Sequence, residues 1–374
     1  LRTTDDRIFQ NKLGQSRLWA YGISGDLPII AITIGDAKDI GLVAEALHAH
    51  TYWRRHGLMA DLLILNEEST SYEQPLYSQL LRLITGLSLY TGMDQPGGVY
   101  LRNMDQIPQE DLNLMLVVAR IALVAARGPL VQQLGAPSVS PELPMKEKPE
   151  KKVKEKPPAA LPHMDLVFDN GFGGFSTDGK EYVITMEQGT PPMPWVNIMA
   201  NPSLGTLASD TGSGFTWYGN SQRNRLTGWS NDPVSDPPGE AVYIRDEESG
   251  DFWTPTLLPA GGDGPYRVRY GSGYTVYEHN SHGIEQELTV FVPMKAKGGD
   301  PIRVQRLKLR NDSNRIRRLS VTFYLEWVLG DHRENTQMHI VTSWNKVAST
   351  LLARNFYHPE FGDRVAFAAV RPHP

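Results

Sequence analysis

Cysteine is absent from all 374 residues. That excludes a disulfide scaffold, a thiolate nucleophile and thiolate-ligated zinc or iron–sulfur centres. Long apolar runs are missing as well. The longest apolar-rich stretch, Leu112 to Ala126, is interrupted by Asn113 and Arg120 and falls short of the ~18–20 residues of a membrane span. Excess positive charge is lacking: 37 basic residues face 42 acidic ones, a formal charge of −5, which argues against the basic footprint of a nucleic-acid binder. The polar opening Leu1-Arg2-Thr3-Thr4-Asp5-Asp6 is not the pattern of a signal peptide. The chain starts without Met and stops at Pro374 just after a strand-like run, so we expect an excised piece of a longer protein. At roughly 100–200 residues per domain, the length allows two or three domains.

Composition divides the chain. Between Ser140 and Pro162 stand six Lys, four Glu and six Pro, too little apolar surface to build a core, so this stretch reads as a solvated linker. Glu147, Glu150 and Glu155 interrupt its lysines and weaken any membrane adhesion. We expect an α/β domain over 1–139, the linker over 140–164 and an all-β domain over 165–374.

Strand and helix patterns alternate before the linker. The run Pro28-Ile29-Ile30-Ala31-Ile32-Thr33-Ile34 reads as a strand buried on both faces. Asp39 is the expected cap of a helix whose Val43, Ala46, Leu47, His50 and Trp53 share a face. Leu62 to Leu65 gives a second strand. Ser71 with Gln74 resembles a capping box, Pro75 fits a first turn, and Leu76, Leu80, Leu83, Ile84 and Leu87 stripe a second helix. Val99-Tyr100-Leu101 gives a third strand. Pro108 opens a third helix with Leu112, Met115, Leu116, Ala119 and Leu123 inward, broken at Gly128-Pro129. Three such units predict a small parallel sheet covered by helices.

Twenty-two of the 34 glycines and six of the eight tryptophans lie beyond Asp165, and the pattern there changes to short strands between turns. Tyr182 to Thr185, Tyr274 to Tyr277, Glu287 to Val292 and Leu319 to Trp327 carry aromatic and β-branched residues. They predict an antiparallel sandwich.

The densest polar-aromatic segment runs from Ser209 to Asp246. Trp217 and Trp229 stand there among Asn220, Asn224, Arg225 and Asp232. Flat rings stack on the C–H faces of sugars while amides, carboxylates and guanidinium satisfy hydroxyls; the same Asn and Asp types also close turns in a long loop. Weaker signals lie elsewhere. Asp36, Asn66 and Glu67 fall at carboxyl ends of parallel strands, where open α/β sheets bind ligands. Gly22-Ile23-Ser24-Gly25-Asp26 precedes a strand, the wrong order for a phosphate loop, and reads as a turn. His48, His50 and His56 lack a metal-binding spacing on one helix face, so no metal is expected. The first strand is not followed by G-x-G-x-x-G, which counts against a dinucleotide enzyme.

Several of these strings resemble a known family. Pro194 to Pro202, Gly212-Ser213-Gly214-Phe215-Thr216-Trp217, Asn220 to Thr227, Trp229 to Glu240 and Tyr243-Ile244-Arg245-Asp246 are similar to the N-terminal β-sandwich of family 94 glycoside phosphorylases, the former family 36 glycosyltransferases. Gly14 to Pro28, His50 to Leu58 and Asp61 to Glu67 resemble the segment between the two sandwich domains of bacterial cyclic β-1,2-glucan synthases. The resemblance implies a galactose-mutarotase-like sandwich and a cytoplasmic place within a bacterial inner-membrane protein. It implies β-glucan or an oligosaccharide, and the remaining domains of the parent chain, as partners. It places inverting phosphorolysis in an (α/α)₆ barrel that follows the sandwich, with an Asp as general acid. UDP-glucose and inorganic phosphate are then substrates of the parent, no cofactor is expected in this chain, and no residue here is assigned a catalytic role. Trp217, Asn220, Asn224, Arg225, Trp229 and Asp232 become substrate-binding candidates. Gly228 stands where many relatives have Pro, and Arg223 where many have Glu, inside the same loop. The rival expectation is a stand-alone carbohydrate-binding or scaffold module.

Overall fold

A computed structural model of the chain describes residues 2–69, 74–87, 92–134, 158–187, 189–294 and 300–372. The charged run Lys146–Lys156 and the Ser71 half of the expected capping box lie outside them.

Packing divides the chain into two units. The first gathers the described residues up to 134 with Met338–Asn345 and Leu351–Phe367; the second holds the described residues from 158 to 337, with Lys346–Thr350 and 368–372. Two stretches from the C-terminal part of the expected 165–374 region pack with the first unit. Tyr357 explains why: it packs on an α/β core cluster, donates from its hydroxyl to Gly25 O at 2.9 Å and stacks on His339 at 4.1 Å.

The first unit runs α1 (Asp5–Gln10), β1 (Ile29–Ile34), α2 (Ile40–Arg55), β2 (Asp61–Asn66), α3 (Pro75–Leu87), β3 (Val99–Asn103), α4 (Gln109–Val118), β4 (Ile121–Val124) and α5 (Leu130–Leu134). Its sheet is parallel in the order β3-β2-β1-β4, with Ile32 opposite Ile64 on one side and Leu123 on the other. Successive side chains of β1 face opposite ways. Ile30, Ile32 and Ile34 pack with Leu42, Leu47, Leu80 and Ile84, while Ile29 and Ala31 pack with Leu112 and Met115. That is why the strand is apolar throughout.

Two expectations need correction here. The third helix does not reach Leu123: Ala119 turns extended (φ −61, ψ 129), and Ile121–Val124 becomes a fourth strand beside β1. The apolar run after Ala119 serves a sheet position instead of a helix face. Asp39 makes no side-chain cap bond; Asp36 does, accepting from Lys38 N at 3.0 Å. At α3, Glu68 accepts from Leu76 N at 3.0 Å and Tyr77 N at 3.2 Å, satisfying first-turn donors.

Downstream come β5 (Leu166–Val167), β6 (Gly173–Ser176), β7 (Glu181–Met186), β8 (Val196–Ala200), β9 (Leu204–Ser209), β10 (Gly214–Tyr218), β11 (Arg225–Thr227), β12 (Glu240–Asp246) and β13 (Phe252–Trp253). Then follow β14 (Tyr266–Gly271), β15 (Tyr274–Ser281), β16 (Ile284–Phe291), β17 (Val304–Asn311), β18 (Leu319–Leu325), β19 (Trp327–Gly330), α6 (Arg333–Thr336), β20 (Val341–Asn345), β21 (Thr350–Arg354) and β22 (Ala366–Ala368). The sheets run β19-β11-β10-β9-β8, β17-β16-β15-β14-β7-β6-β5, β13-β12-β18 and β20-β21-β22. Ile184, Met199, Leu204, Val268, Tyr277 and Leu288 form the main core of the second unit. The run Leu319 to Trp327, read as one strand, is two: β18 pairs with β12, and β19 pairs with β11. No described helix is long and apolar enough to cross a membrane.

Candidate functional site

Strand β10 organises the segment singled out from sequence. Period-two alternation puts Phe215 and Trp217 on one face and Thr216 on the other. Phe215 is buried. Trp229 stacks on its ring at 5.0 Å and 6°, Trp217 leans against it at 5.1 Å, and the Arg225 guanidinium carbon stands 5.6 Å from its centroid. Three of the six candidates therefore meet around a residue that the sequence reading did not single out. Trp217 is held from beneath by Gly205, its partner across β9, where an added Cβ would sit 2.2 Å from the indole. Glycine there lets the ring lie flat on the sheet. Trp217, Arg225 and Trp229 are each half-buried, so their rings and guanidinium are partly presented to solvent.

The other three candidates close turns. Asn220 Oδ1 accepts from Gln222 N at 2.9 Å and Arg223 N at 2.8 Å. Asn224 is 3 % exposed and donates Nδ2 to Tyr218 O at 2.9 Å. Asp232 Oδ1 accepts from Val234 N at 2.8 Å, and its Oδ2 takes the Ser235 hydroxyl at 2.5 Å. The Ser235 hydroxyl and the backbone amides hold its carboxyl below the usual range. Gly228, where many relatives carry Pro, lies in the paired base of this hairpin: Trp229 bridges Pro238, and a Cβ on Gly239 would meet Gly228 O.

Behind β10 lies a buried polar network. Glu240 Oε1 accepts from Thr216 Oγ1 at 3.0 Å and from the Thr227 hydroxyl, and Glu240 pairs with Arg303. Glu240 and Arg303 line a small cleft together with Gly212, Ser213 and Thr256. A neighbouring pair of carboxylates is also buried. Asp236 Oδ2 accepts from Ser209 Oγ at 2.6 Å and Thr211 Oγ1 at 2.5 Å. Asp210, 1 % exposed, leaves Oδ2 without a partner among the described residues; burial and the Asp236 charge raise its pKa to about 6. Sequence reasoning missed Phe215, Glu240 and Asp210. The one signal for Phe215 was its place two residues before Trp217.

The α/β candidates are engaged locally. Asn66 Nδ2 donates to Asn103 Oδ1 at 3.0 Å, Asp36 pairs with Lys38, and the Glu67 side chain lies against Gly35. Gln133 closes the end of β4 through Val124 and Gly128. His50 Nε2 binds Ala60 O at 2.8 Å. Among the described residues no group of three or more His, Asp and Glu is placed to hold a metal ion.

Comparison with known proteins adds independent findings. The glycosyl hydrolase 94 supersandwich domain matches residues 180–374. The cyclic beta-(1,2)-glucan synthase NdvB of Rhizobium meliloti is 32 % identical over 99 % of this chain, which covers 13 % of the synthase. An N,N'-diacetylchitobiose phosphorylase of Vibrio furnissii is 29 % identical over 50 % of the chain and 23 % of the phosphorylase. A solabiose phosphorylase of Paenibacillus borealis is 28 % identical over 54 % and 27 %. The chain thus spans between about an eighth and about a quarter of these relatives' lengths.

Proposed function

Because the chain belongs to the glycosyl hydrolase 94 family through its supersandwich domain, we propose that it is the non-catalytic portion of a carbohydrate-active enzyme acting on β-1,2-glucan. One observation carries this reading. The likeness to a cyclic beta-(1,2)-glucan synthase extends over 99 % of the chain and so takes in the α/β part as well as the sandwich. In this reading residues 1–139 are a connector, 140–164 a tether and 165–374 the sandwich. The parent uses UDP-glucose and phosphate, while a phosphorylase-type barrel outside this chain does the bond chemistry.

The sandwich then serves substrate by position. Trp217 and Trp229 offer ring faces, and Arg225, packed over Phe215, supplies a charge-assisted hydrogen bond to a sugar hydroxyl. Asn220 and Asp232 fix turns that hold those three and contact sugar only with what the turns leave over, while the buried Asn224 acts through its turn alone. The rival, a stand-alone binding module, makes a different prediction for activity. We expect no release of glucose 1-phosphate from β-1,2-oligosaccharides plus phosphate by this chain, and release by the full-length parent. Phosphorolysis by the chain alone, above a no-protein blank, would sink the assignment; a full-length parent that binds these glucans without converting them would favour the rival.

A further inference from the structure

The outer face of the seven-stranded sheet holds an arginine in an unexpected setting. Along β14, Tyr266 and Val268 point into the core, so Arg267 points outward by the two-residue period of a strand. An outward arginine is normally solvated. Arg267 is 6 % exposed, and its Nε has no partner among the described residues. Its Nη1 pairs with Glu278 of β15 at 3.3 Å, and its Nη2 donates to the carbonyl of Pro162.

Pro162 ends a short strap that lies on this face. Asn280, on the same side of β15 as Glu278, donates Nδ2 to Ala159 O at 3.2 Å. Pro158 sits against Gly264, where an added Cβ would come within 2.8 Å of the proline Cβ; Gly264 also has φ +112. Three sheet-side residues therefore hold three points of Pro158-Ala159-Ala160-Leu161-Pro162. The two captured carbonyls, of Ala159 and Pro162, are three residues apart. That is the repeat of a polyproline II helix, which has three residues per turn and no internal hydrogen bonds, so its carbonyls are open to outside donors. Proline at both ends lowers the entropy lost on docking such a strand.

We propose that Gly264, Arg267 and Asn280 form a binding groove for an extended, proline-bearing peptide with acceptor carbonyls three residues apart. The chain's own segment Pro158–Pro162 occupies it. The groove reads backbone and not side chains: Arg267 and Asn280 both donate to carbonyls, and the Ala159 and Ala160 side chains are exposed. It thereby fixes where the Lys- and Pro-rich segment meets the sandwich. Glu278 keeps the Arg267 guanidinium aimed at the strap.

The absence of native cysteine makes the test clean. A nitroxide on Ala160→Cys reports strap motion by electron paramagnetic resonance, and circular dichroism checks the fold. In the otherwise native chain the label should move with the protein. Arg267→Ala with Asn280→Ala should speed it at least about threefold, toward the sub-nanosecond to nanosecond motion of a loose segment. Should that pair of changes unfold the sandwich, Pro158→Gly with Pro162→Gly leaves every sheet residue intact and should release the label in the same way. A label already fast in the native background would overturn the proposal. So would a slow label that neither pair of substitutions releases.

Discussion

The two units solve burial differently. In the α/β unit the core of β1 and β2 is almost wholly aliphatic: Ile32, Leu62, Leu63 and Ile64 are fully buried beside one another. Among the described residues the sandwich buries charge more often, at Asp210, Asp236, Glu240, Asp246 and, on its outer face, Arg267, whereas the α/β unit does so at Asp61, which accepts from Gly97 N, and Asp111, which accepts from Arg17 and Tyr21. Aliphatic packing is tolerant of exact partners, whereas a buried charge requires its counterpart in place. The candidate site stands on the second kind of structure. Its ring cluster faces away from Thr216, and Thr216 is tied to Glu240 and Arg303.

The largest effect should come from breaking a buried charge pair in the sandwich. Arg317 meets Asp246 at 2.6 Å, with side chains 3 % and 1 % exposed. Burial works against the Asp246 carboxylate, but the backbone amide of Glu248 and the Arg317 guanidinium outweigh it and hold its pKa low. Arg315 meets the same carboxylate at 3.3 Å, so it takes Arg317→Ala with Arg315→Ala to leave it buried without a cation, and the pair of changes should cost about 3–5 kcal/mol. Urea unfolding followed by tryptophan fluorescence measures it, since Trp253 is buried in the same unit. Loss below about 1 kcal/mol would mean the sandwich tolerates unpaired charge as an aliphatic core tolerates a cavity, and the contrast would fail. In the α/β unit the matching change is Leu63→Ala, which opens a cavity beside Ile29, Ala31 and Met115 and should cost about 2–4 kcal/mol. The helical signal at 222 nm is the readout, because the long described helices belong to that unit.

Acid sharpens the comparison with opposite signs. Asp210 has a pKa raised to about 6, so the native state holds a proton that the unfolded chain releases at lower pH. Its ionisation lowers stability as pH rises from about 4 to about 6, and the penalty is complete above that. Asp210→Asn should stabilise the sandwich by about 2 kcal/mol at pH 7.5 and by almost nothing at pH 4. His339, in the first unit, is lowered to about 4 by burial and by Arg2 and Arg120. Its unfolded form takes up a proton first, so stability is lost as pH falls from about 6.5 to about 4. His339→Phe should leave pH 7.5 stability nearly unchanged and gain about 2 kcal/mol near pH 4.5. Melting temperatures of both variants across this range check the signs; gains that appear at the same end of the pH range for both would break the account.

Legibility followed the same divide. Strands β1 to β3 and helices α2 and α3 could be read from sequence because continuous β-branched runs and 3.6-residue stripes reflect local burial. The fourth strand was misread as helix, since Ile121 to Val124 is too short for periodicity to separate the two. Tyr357 gave no hint that it packs with Gly25, more than 300 residues away. In the sandwich the aromatic and turn residues of the site could be read, and their division of labour could not. Asn220 and Asp232 carry the same chemistry whether they face a sugar or a backbone amide. Only the fold puts Phe215 at the centre and turns Asn224 inward.

The direct test of the sugar-facing cluster is kinetic. Arg225→Ala in the full-length parent removes a half-exposed guanidinium that packs over Phe215. Losing a charge-assisted hydrogen bond worth about 1–3 kcal/mol should lower kcat/KM for β-1,2-glucan phosphorolysis about ten- to hundredfold. The melting temperature should stay within a few degrees of the native value. A kcat/KM unchanged in the folded enzyme, with a lowered melting temperature, would make the cluster a packing element and contradict the account.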